Sequence, residues 1–454
     1  MRRVFSLVAA AVLSVCVCMA ACSCSSGSAT VMRVGDEKLS LLDFRIYYNM
    51  YVANFYSTFS QTYEQMGIDP SVSYSEQTCY FDESKTWADF FVENTIDYCR
   101  ELLTFLQQAE QEDVSLTDEE RGAVEQRFEE LADSLRSDGE DVQQYIEDAY
   151  GRGASMDDVV RIMQDVALYS KMYSHVTDSF GYEQSHYDEY YDTHKDQIDT
   201  VTVRMASFIY SDGGMSKEQA AEAAEAFDAA ATDEDEFERL YEQSLSDELR
   251  AYFEGTDPTL IYNVSGDYFD SAELNEWLFS SSRSYWDGYV CDLDGMYAVF
   301  RFVEKDTKDY RLADIRHILV SDSSAEGADT VAEIYSLLSE QDFDEEVFAQ
   351  YALAYSDDST TSTAGGLIEN VYKGRLANAV TEWCFGTEHE AGDCGVVRSE
   401  YGYHILLFLD YGETYRTYLC RTAMESAAYD RLYSRLKGVY ELEVDEEAVY
   451  SVVE

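Results

Sequence analysis

Two histidines stand in a setting where they could share one site. His317 and His404 each lie in a short apolar run that is typical of a β-strand, residues 316–320 and 402–406. Asp358 lies between these runs, and Ser399 shortly precedes the second one. Imidazole, carboxyl and hydroxyl groups can form one hydrogen-bond network. Two strand histidines without a metal-ligand set argue against a hydrolase and a metalloenzyme, and no cofactor or metal is expected.

Each of these residues also has an ordinary structural interpretation. A single histidine in a strand is more often a core residue than a functional one. Asp358 and the serines beside it are typical of a turn, and Ser399 alone indicates little. The pattern as a whole, rather than any one residue, therefore supports a shared site.

Residues 314–411 resemble the parvulin family of peptidyl-prolyl isomerases throughout. The resemblance rests on the first histidine strand, the Tyr-Ser-Asp-Asp-Ser stretch at 355–359, the Gly365-Gly366 turn, and the final strand with its Gly-Tyr-His sequence at 402–404. It implies a four-stranded antiparallel sheet wrapped by helices. It also implies catalysed rotation of prolyl peptide bonds, whose uncatalysed isomerisation takes tens to hundreds of seconds.

The resemblance further assigns roles to individual residues. It implies that His317 and His404 come from adjacent central strands and touch each other. It implies that they orient a polar network in which Asp358 supplies an acidic group and Ser399 a hydroxyl. These four residues are the expected catalytic set.

An apolar pocket for the prolyl ring is implied as well, formed by Leu376, Val380 and Phe385. Leu376 stands where the family usually has Met, and Val380 stands where it usually has Phe. Both are smaller or stiffer than the usual residues, so we expect a shallower pocket and a lower activity. In the alternative interpretation Leu376 and Val380 are ordinary core residues.

The charge balance limits the partners. The chain has 454 residues, of which 90 are acidic and 32 basic, with a formal charge of −58. Phosphate binding requires clustered Lys and Arg, so the composition argues against nucleic acid. The acidity serves solubility or attracts basic or unfolded clients. The expected partners are unfolded or newly exported proline-containing polypeptides, and a homodimer stays open.

The N-terminus is typical of an exported lipoprotein. Arg2 and Arg3 precede an apolar stretch, and Met-Ala-Ala ahead of Cys22 resembles a bacterial lipobox. We expect residues 1–21 to be a signal peptide, Cys22 to be lipidated, and residues 22–33 to be a tether. The protein would then be extracytoplasmic and anchored by lipid to the bacterial cell membrane. An uncleaved membrane anchor is the alternative.

The expected fold class is α+β, with a helical N-terminal region and two parvulin-like modules. Apolar residues at helical spacing predict a helical chaperone domain over residues 34–200. Capping patterns such as Thr117 with Glu120 support it. Residues 201–305 form a degenerate module, and residues 310–411 form the isomerase domain. Residues 412–454 form a C-terminal helix and strand that pack back on the N-terminal region.

The degenerate module is inferred from an internal repeat. Trp277 and Tyr297 are separated by the same interval as Trp383 and Tyr403. Aligning the two copies on their short strand motifs places Ser207 where His317 stands. It places Ala298 where His404 stands. One copy therefore keeps both imidazoles and the other keeps neither.

Three functions follow as alternatives. The first is a membrane-tethered foldase of the PrsA/SurA type, which binds newly exported chains and isomerises their prolyl bonds. The second is a holdase chaperone whose parvulin fold grips peptides without catalysis, which the Leu376 and Val380 departures favour. The third is a surface lipoprotein for adhesion or solute capture.

Overall fold

The structure is a computed structural model, and it describes residues 29–60, 62–210, 215–253 and 256–453. The expected signal peptide, the expected lipidation site Cys22 and most of the expected tether therefore lie outside the described residues. Within the described ranges, no helix is both long enough and apolar enough to cross a membrane.

The N-terminal region is mainly helical. Its elements are β1 (Thr30–Val34), β2 (Glu37–Ser40), α1 (Leu41–Thr58), β3 (Thr78–Cys79), β4 (Asp82–Thr86), α2 (Trp87–Gln111), α3 (Asp118–Asp138), α4 (Val142–Tyr150), α5 (Met156–Ser179) and α6 (Gln184–Ile198). Short 3₁₀ turns lie at Tyr63–Met66 and Tyr74–Glu76. Its core is strongly aromatic, with Phe44, Trp87 and Phe91 fully buried.

Reciprocal caps fix where several of these helices begin. The Thr117 hydroxyl accepts the backbone N–H of Glu120, whose carboxylate accepts the backbone N–H of Thr117. Ser155 and Asp158 repeat this arrangement at the start of α5. Both caps satisfy backbone donors that have no partner inside the helix. The capping pattern predicted at Thr117 is therefore confirmed.

Two α+β units follow. The first unit contains β5 (Thr200–Ile209), α7 (Lys217–Ala230), α8 (Glu234–Ser244), α9 (Asp247–Tyr252), β6 (Leu260–Val264), α10 (Ala272–Phe279), β7 (Gly288–Leu293) and β8 (Met296–Asp306). The second unit contains β9 (Arg311–Val320), α11 (Ala325–Ser339), α12 (Glu345–Tyr355), a 3₁₀ turn (Ser362–Ala364), β10 (Leu367–Val371), α13 (Asn378–Gly386), β11 (Cys394–Ser399) and β12 (Gly402–Thr414). The α+β fold class is confirmed.

The C-terminal segment returns to the N-terminal region. It consists of α14 (Tyr415–Val439), β13 (Leu442–Val444) and α15 (Glu446–Tyr450). β13 pairs with β1, which begins at Thr30 and buries Val31 and Met32. The expectation that the tether extends to residue 33 is therefore wrong, because two strand partners and the core already hold the chain from Thr30 onward.

The two units contain the same four-stranded antiparallel sheet. The strand order is β6-β5-β8-β7 in the first unit and β10-β9-β12-β11 in the second. Arg204 in β5 reaches Glu234, the first residue of α8, at 3.5 Å. Arg316 in β9 reaches Glu345, the first residue of α12, at 3.0 Å. The shared strand order and this shared clamp indicate a duplication.

The strand register corrects one residue of the predicted repeat. Ala298 pairs with Ser207 in the first sheet, whereas His404 pairs with Leu319 in the second. Superposing Ala298 on His404 therefore places Ser207 on Leu319, and it places Met205 on His317. Met205 also donates its backbone N–H to a residue just before β6, as His317 does to Gly366 just before β10. The motif alignment was wrong by two residues because it could not detect a shift between paired strands.

Glycine before β10 allows the sheet to form beside the first histidine. Gly366 has φ +74°, and a Cβ there would lie 2.2 Å from the carbonyl oxygen of His317. Gly374 has φ +88° and no atom near a built Cβ. Gly374→Ala should lower the free energy of unfolding by about 1–2 kcal/mol through backbone strain. Gly366→Ala should lower it by about 2–4 kcal/mol, because the steric clash adds to the same strain.

Urea unfolding of the full chain, followed by far-ultraviolet circular dichroism, measures this difference. Gly374→Ala is the matched control, since it changes the same residue type at a similar φ without a clash. Equal losses in the two variants would contradict the close approach of residue 366 to the first histidine strand.

Candidate active site

The second sheet brings the two predicted histidines together. β9 and β12 are its central strands, and His317 lies opposite Leu406 while His404 lies opposite Leu319. The two histidines are therefore diagonal neighbours on one face of the sheet, within reach of each other. Their rings lie 4.9 Å apart between centroids and are tilted by 22°.

A continuous polar chain runs through this pair. His317 Nε2 lies 2.8 Å from His404 Nδ1, and His404 Nε2 lies 2.6 Å from Ser399 Oγ. His317 Nδ1 lies 3.5 Å from Asp358 Oδ2, at the outer limit of hydrogen-bond distance, and it has no nearer partner among the described residues. The structure thus places all four residues of the expected catalytic set in one network.

Asp358 is held by groups that the sequence did not single out. The backbone N–H and the hydroxyl of Thr360 donate to its Oδ1 at 3.0 and 2.6 Å, and the Thr361 hydroxyl donates to its Oδ2 at 2.7 Å. The turn itself is tied to β9, because Ser356 Oγ accepts the backbone N–H of Leu319 at 3.1 Å. A Thr-Thr pair directly after an Asp-Ser turn is the only sequence signal that could have indicated these donors.

The charges of the site follow from burial and hydrogen bonding. Burial alone would raise the pKa of the Asp358 carboxyl, but the hydrogen bonds from His317, Thr360 and Thr361 outweigh burial and hold the pKa well below its usual range. Burial, and secondly the neighbouring His317, lower the pKa of His404 to about 4. At neutral pH the site therefore contains a carboxylate and a neutral His404.

These states determine the direction of the hydrogen bonds. An ionised Asp358 accepts, which places a proton on Nδ1 of His317, and in the tautomer with this single proton Nε2 accepts. His404 then donates from Nδ1 and accepts the Ser399 hydroxyl proton at Nε2. Ser399 in turn accepts the backbone N–H of Tyr401 at 3.0 Å. The chain of donors thus fixes the orientation of the Ser399 hydroxyl.

The expected pocket residues lie on the same face of the sheet. They pack in an apolar cluster with Ile315 and Leu406. Each of these two residues lies two positions from a histidine of the site, and therefore on the same face of the sheet. Val380 is 3% exposed and belongs to the core of this cluster, whereas Leu376 and Phe385 are half-buried. The Phe385 ring also contacts Tyr310 edge-on at 5.5 Å. Leu376 and Phe385 are therefore the expected pocket residues with surface that a ligand could touch.

The imidazoles themselves are largely covered. His317 is 7% exposed and His404 is 4% exposed, whereas the side chain of Asp358 is 20% exposed and Ser399 is half-buried. The two ends of the network thus reach the surface more than its middle does. This arrangement can present a fixed carboxylate and a fixed hydroxyl beside an apolar surface. In the described part of the chain, no three His, Cys, Asp or Glu residues converge as a metal site would require.

The lowered pKa of His404 can be tested directly. We expect the nitrogen-15 shifts of His404 to show a neutral ring from pH 8 to about pH 5 and a midpoint near 4. In the unfolded chain the ring titrates near 6.5, so as the pH falls the unfolded state binds a proton before the folded state does. The folded state therefore loses stability between about pH 6.5 and pH 4. In His317→Ala the midpoint should rise, since one cause of the lowering is removed. A wild-type midpoint at 6 or above would contradict the buried, neutral ring.

Comparison with known proteins agrees with this geometry. Residues 297–411 match the family described as PPIC-type PPIASE domain, a match that begins in β8. Foldase protein PrsA 1 of Listeria monocytogenes and that of Listeria innocua are each 33% identical over 115 residues, which is 25% of this chain and 36% of theirs. The match thus spans 36% of the length of these curated relatives, about a third.

Solved structures give weaker likenesses. Peptidylprolyl isomerase PrsA from Bacillus anthracis is 12% identical over 60% of this chain and 94% of that one, with a TM-score of 0.20. PrsA from Bacillus subtilis is 23% identical over 31% of this chain and 46% of that one, with a TM-score of 0.19. The family match thus covers the second unit, β9 to β12, with its four-residue network, and this unit is a PPIC-type peptidyl-prolyl isomerase domain, the domain of the parvulin family.

Proposed function

We propose that this protein is a peptidyl-prolyl isomerase and foldase that acts on exported polypeptides at the outer face of the cell membrane. The observation that carries the proposal is the Ser399–His404–His317–Asp358 network inside the matched domain. The names of the curated relatives, foldase proteins, support the same activity. The clients are unfolded chains that contain proline.

Prolyl isomerisation needs no nucleophile and no base. The barrier is the amide resonance, roughly 18–20 kcal/mol. It falls when a site binds the twisted amide better than either planar form. An apolar surface at Leu376 and Phe385 would hold the prolyl ring and strip water from the amide. Because the Ser399 proton is donated to His404 and Asp358 is ionised, both groups would present oxygen lone pairs beside the amide. They would disfavour the planar form, whose carbonyl oxygen carries more negative charge than that of the twisted form.

In this mechanism His317 and His404 are positioning residues. Their burial limits direct contact with a substrate, and their hydrogen bonds hold Ser399 at one end and Asp358 at the other. A hydrogen bond lost from such a network is worth roughly 1–1.5 kcal/mol, or about tenfold in rate. The rate should therefore depend on all four residues, although only two of them reach the substrate.

The isomerase proposal predicts graded losses of activity. Ser399→Ala and Asp358→Asn should each lower kcat/KM for a short proline peptide about tenfold, by removing a group that faces the amide. His317→Ala and His404→Ala should lower kcat with a smaller change in KM, because they displace Ser399 and Asp358 without removing apolar contacts. Exchange spectroscopy on the cis and trans peptide measures both constants.

Ser336→Ala, at an exposed position on α11, and His175→Ala, in the helical region, are the matched controls and should retain full activity. The isomerase proposal would be refuted if the wild-type protein had no isomerase activity. It would also be refuted if all four site variants kept the wild-type activity. The holdase alternative is favoured by the burial of Val380, which leaves a smaller apolar surface than a Phe would. It predicts that suppression of reporter aggregation survives in Ser399→Ala even where isomerase activity is lost.

The location is proposed from the N-terminal sequence. We propose that residues 1–21 are removed, that Cys22 is lipidated, and that residues 34–200 act as a helical chaperone domain for the clients. Acyl chains on Cys22 would hold the protein at the membrane surface. In a bacterial host, Cys22→Ala should move the protein from the membrane fraction to the soluble fraction or leave its precursor uncleaved. Cys24→Ala is the control, and an unchanged fraction and mass for Cys22→Ala would refute the anchor.

A further inference from the structure

A groove lies between the long C-terminal helix α14 and the helical region, away from the histidine site. It encloses about 500 Å³ between α5 and α14. Its floor is apolar, with Val176 and Ala428 buried and Leu432 half-buried. Its rim carries Arg431 and Arg435 from α14 and Glu112 from the end of α2.

The two rim arginines differ from most cations of this protein. In a chain with 90 acidic and 32 basic residues, the side chain of a Lys or Arg is expected to have a carboxylate nearby. Arg421, on the same helix, binds both Glu413 and Glu425. Within the part of the chain that the structure describes, the side chains of Arg431 and Arg435 make no hydrogen bond and no ion pair. They lie one helical turn apart, so both guanidinium groups face the same groove.

The remaining rim charge does not neutralise them. Glu112 Oε2 lies 2.9 Å from His175 Nε2, and its Oε1 accepts a hydrogen bond from Gln108. Glu112 is thus held on its own side of the groove. The groove combines an apolar floor with two cations that are free to bind an anion.

We propose that this groove binds a client segment in which carboxylate side chains flank an apolar side chain. The inference rests on the proposed foldase function, and it names one class of client sequence. The apolar residue would pack on Val176 and Leu432, and the carboxylates would pair with Arg431 and Arg435. Charges beyond roughly 10 Å are screened at physiological salt, so most of the acidic surface of the chain acts only weakly at the groove.

Charge argues against two other occupants. A second copy of this chain would carry another −58, and mutual repulsion opposes that contact. A membrane of anionic lipids repels the same net charge, whereas surface attraction needs a cluster of basic residues. A short acidic and apolar segment brings the complementary charge without a large acidic body.

The test uses the full chain and two labelled, proline-free peptides. One contains leucines flanked by glutamates, and in the other each glutamate is replaced by glutamine. Fluorescence anisotropy should show the glutamate peptide binding about tenfold more tightly than the glutamine peptide, and the R431Q/R435Q double variant should lose this preference. Glu112→Gln should strengthen binding of the glutamate peptide about threefold, because one repulsive charge leaves the rim.

The control double variant is R127Q/R152Q. It removes the same charge from two exposed arginines that also lack a carboxylate partner among the described residues but lie outside the groove. It should retain the preference. An equal loss in both double variants would show bulk electrostatics only and would overturn the proposal. So would equal binding of the two peptides, or groove-dependent binding to phosphatidylglycerol vesicles instead of the peptide.

Failure of this inference is separable from failure of the foldase proposal. The peptides contain no proline, so their binding does not report on the histidine site. In R431Q/R435Q, kcat/KM for a short proline peptide should equal the wild-type value. An inactive wild type that still prefers the glutamate peptide would reject the isomerase and keep the groove. A wild-type protein that isomerises the proline peptide but does not prefer the glutamate peptide would keep the isomerase and reject the groove.

Discussion

The site depends on the register between β9 and β12. Opposite side chains in this pairing are His317 with Leu406 and His404 with Leu319, which makes the imidazoles diagonal neighbours. A slip of one residue would turn one ring to the other face of the sheet. Gly402 helps to fix the register, since a Cβ there would lie 2.2 Å from the carbonyl oxygen of Val320. Backbone packing at the strand ends thus determines a 2.8 Å contact in the middle.

Burial makes each hydrogen bond of the network costly to lose. A buried polar group without a partner costs about 1–3 kcal/mol, so each member needs the next one. A neutral His404 avoids the larger cost of burying a charge. The negative charge of Asp358 is placed where backbone and hydroxyl donors of Thr360 and Thr361 stabilise it. A protein of charge −58 can therefore keep a carboxylate at the site with hydroxyl and backbone donors rather than with a Lys or Arg of the described residues.

The sequence predicted the family of the second unit and the four residues of its network, because fixed motifs carry them. It did not predict Thr360 and Thr361, whose contribution depends on a turn geometry that residue types do not specify. It did not separate Val380, which is core, from Leu376, which has exposed surface, because an apolar residue on a short helix fits either environment. It placed Ser207 rather than Met205 on His317, because strand register is a property of pairing and not of spacing.

The first unit shows that the sheet of this fold forms without the two histidines. It has the same strand order and the same arginine clamp from its first strand to the first residue of a helix. Met205 and Ala298 occupy the two imidazole positions there, and both pack in an ordinary apolar cluster. Apolar side chains therefore satisfy these positions of the sheet fully. Because two buried imidazoles bring a desolvation cost that Met and Ala avoid, their presence in the second unit is explained by the groups they hold, Ser399 and Asp358, rather than by the stability of the sheet.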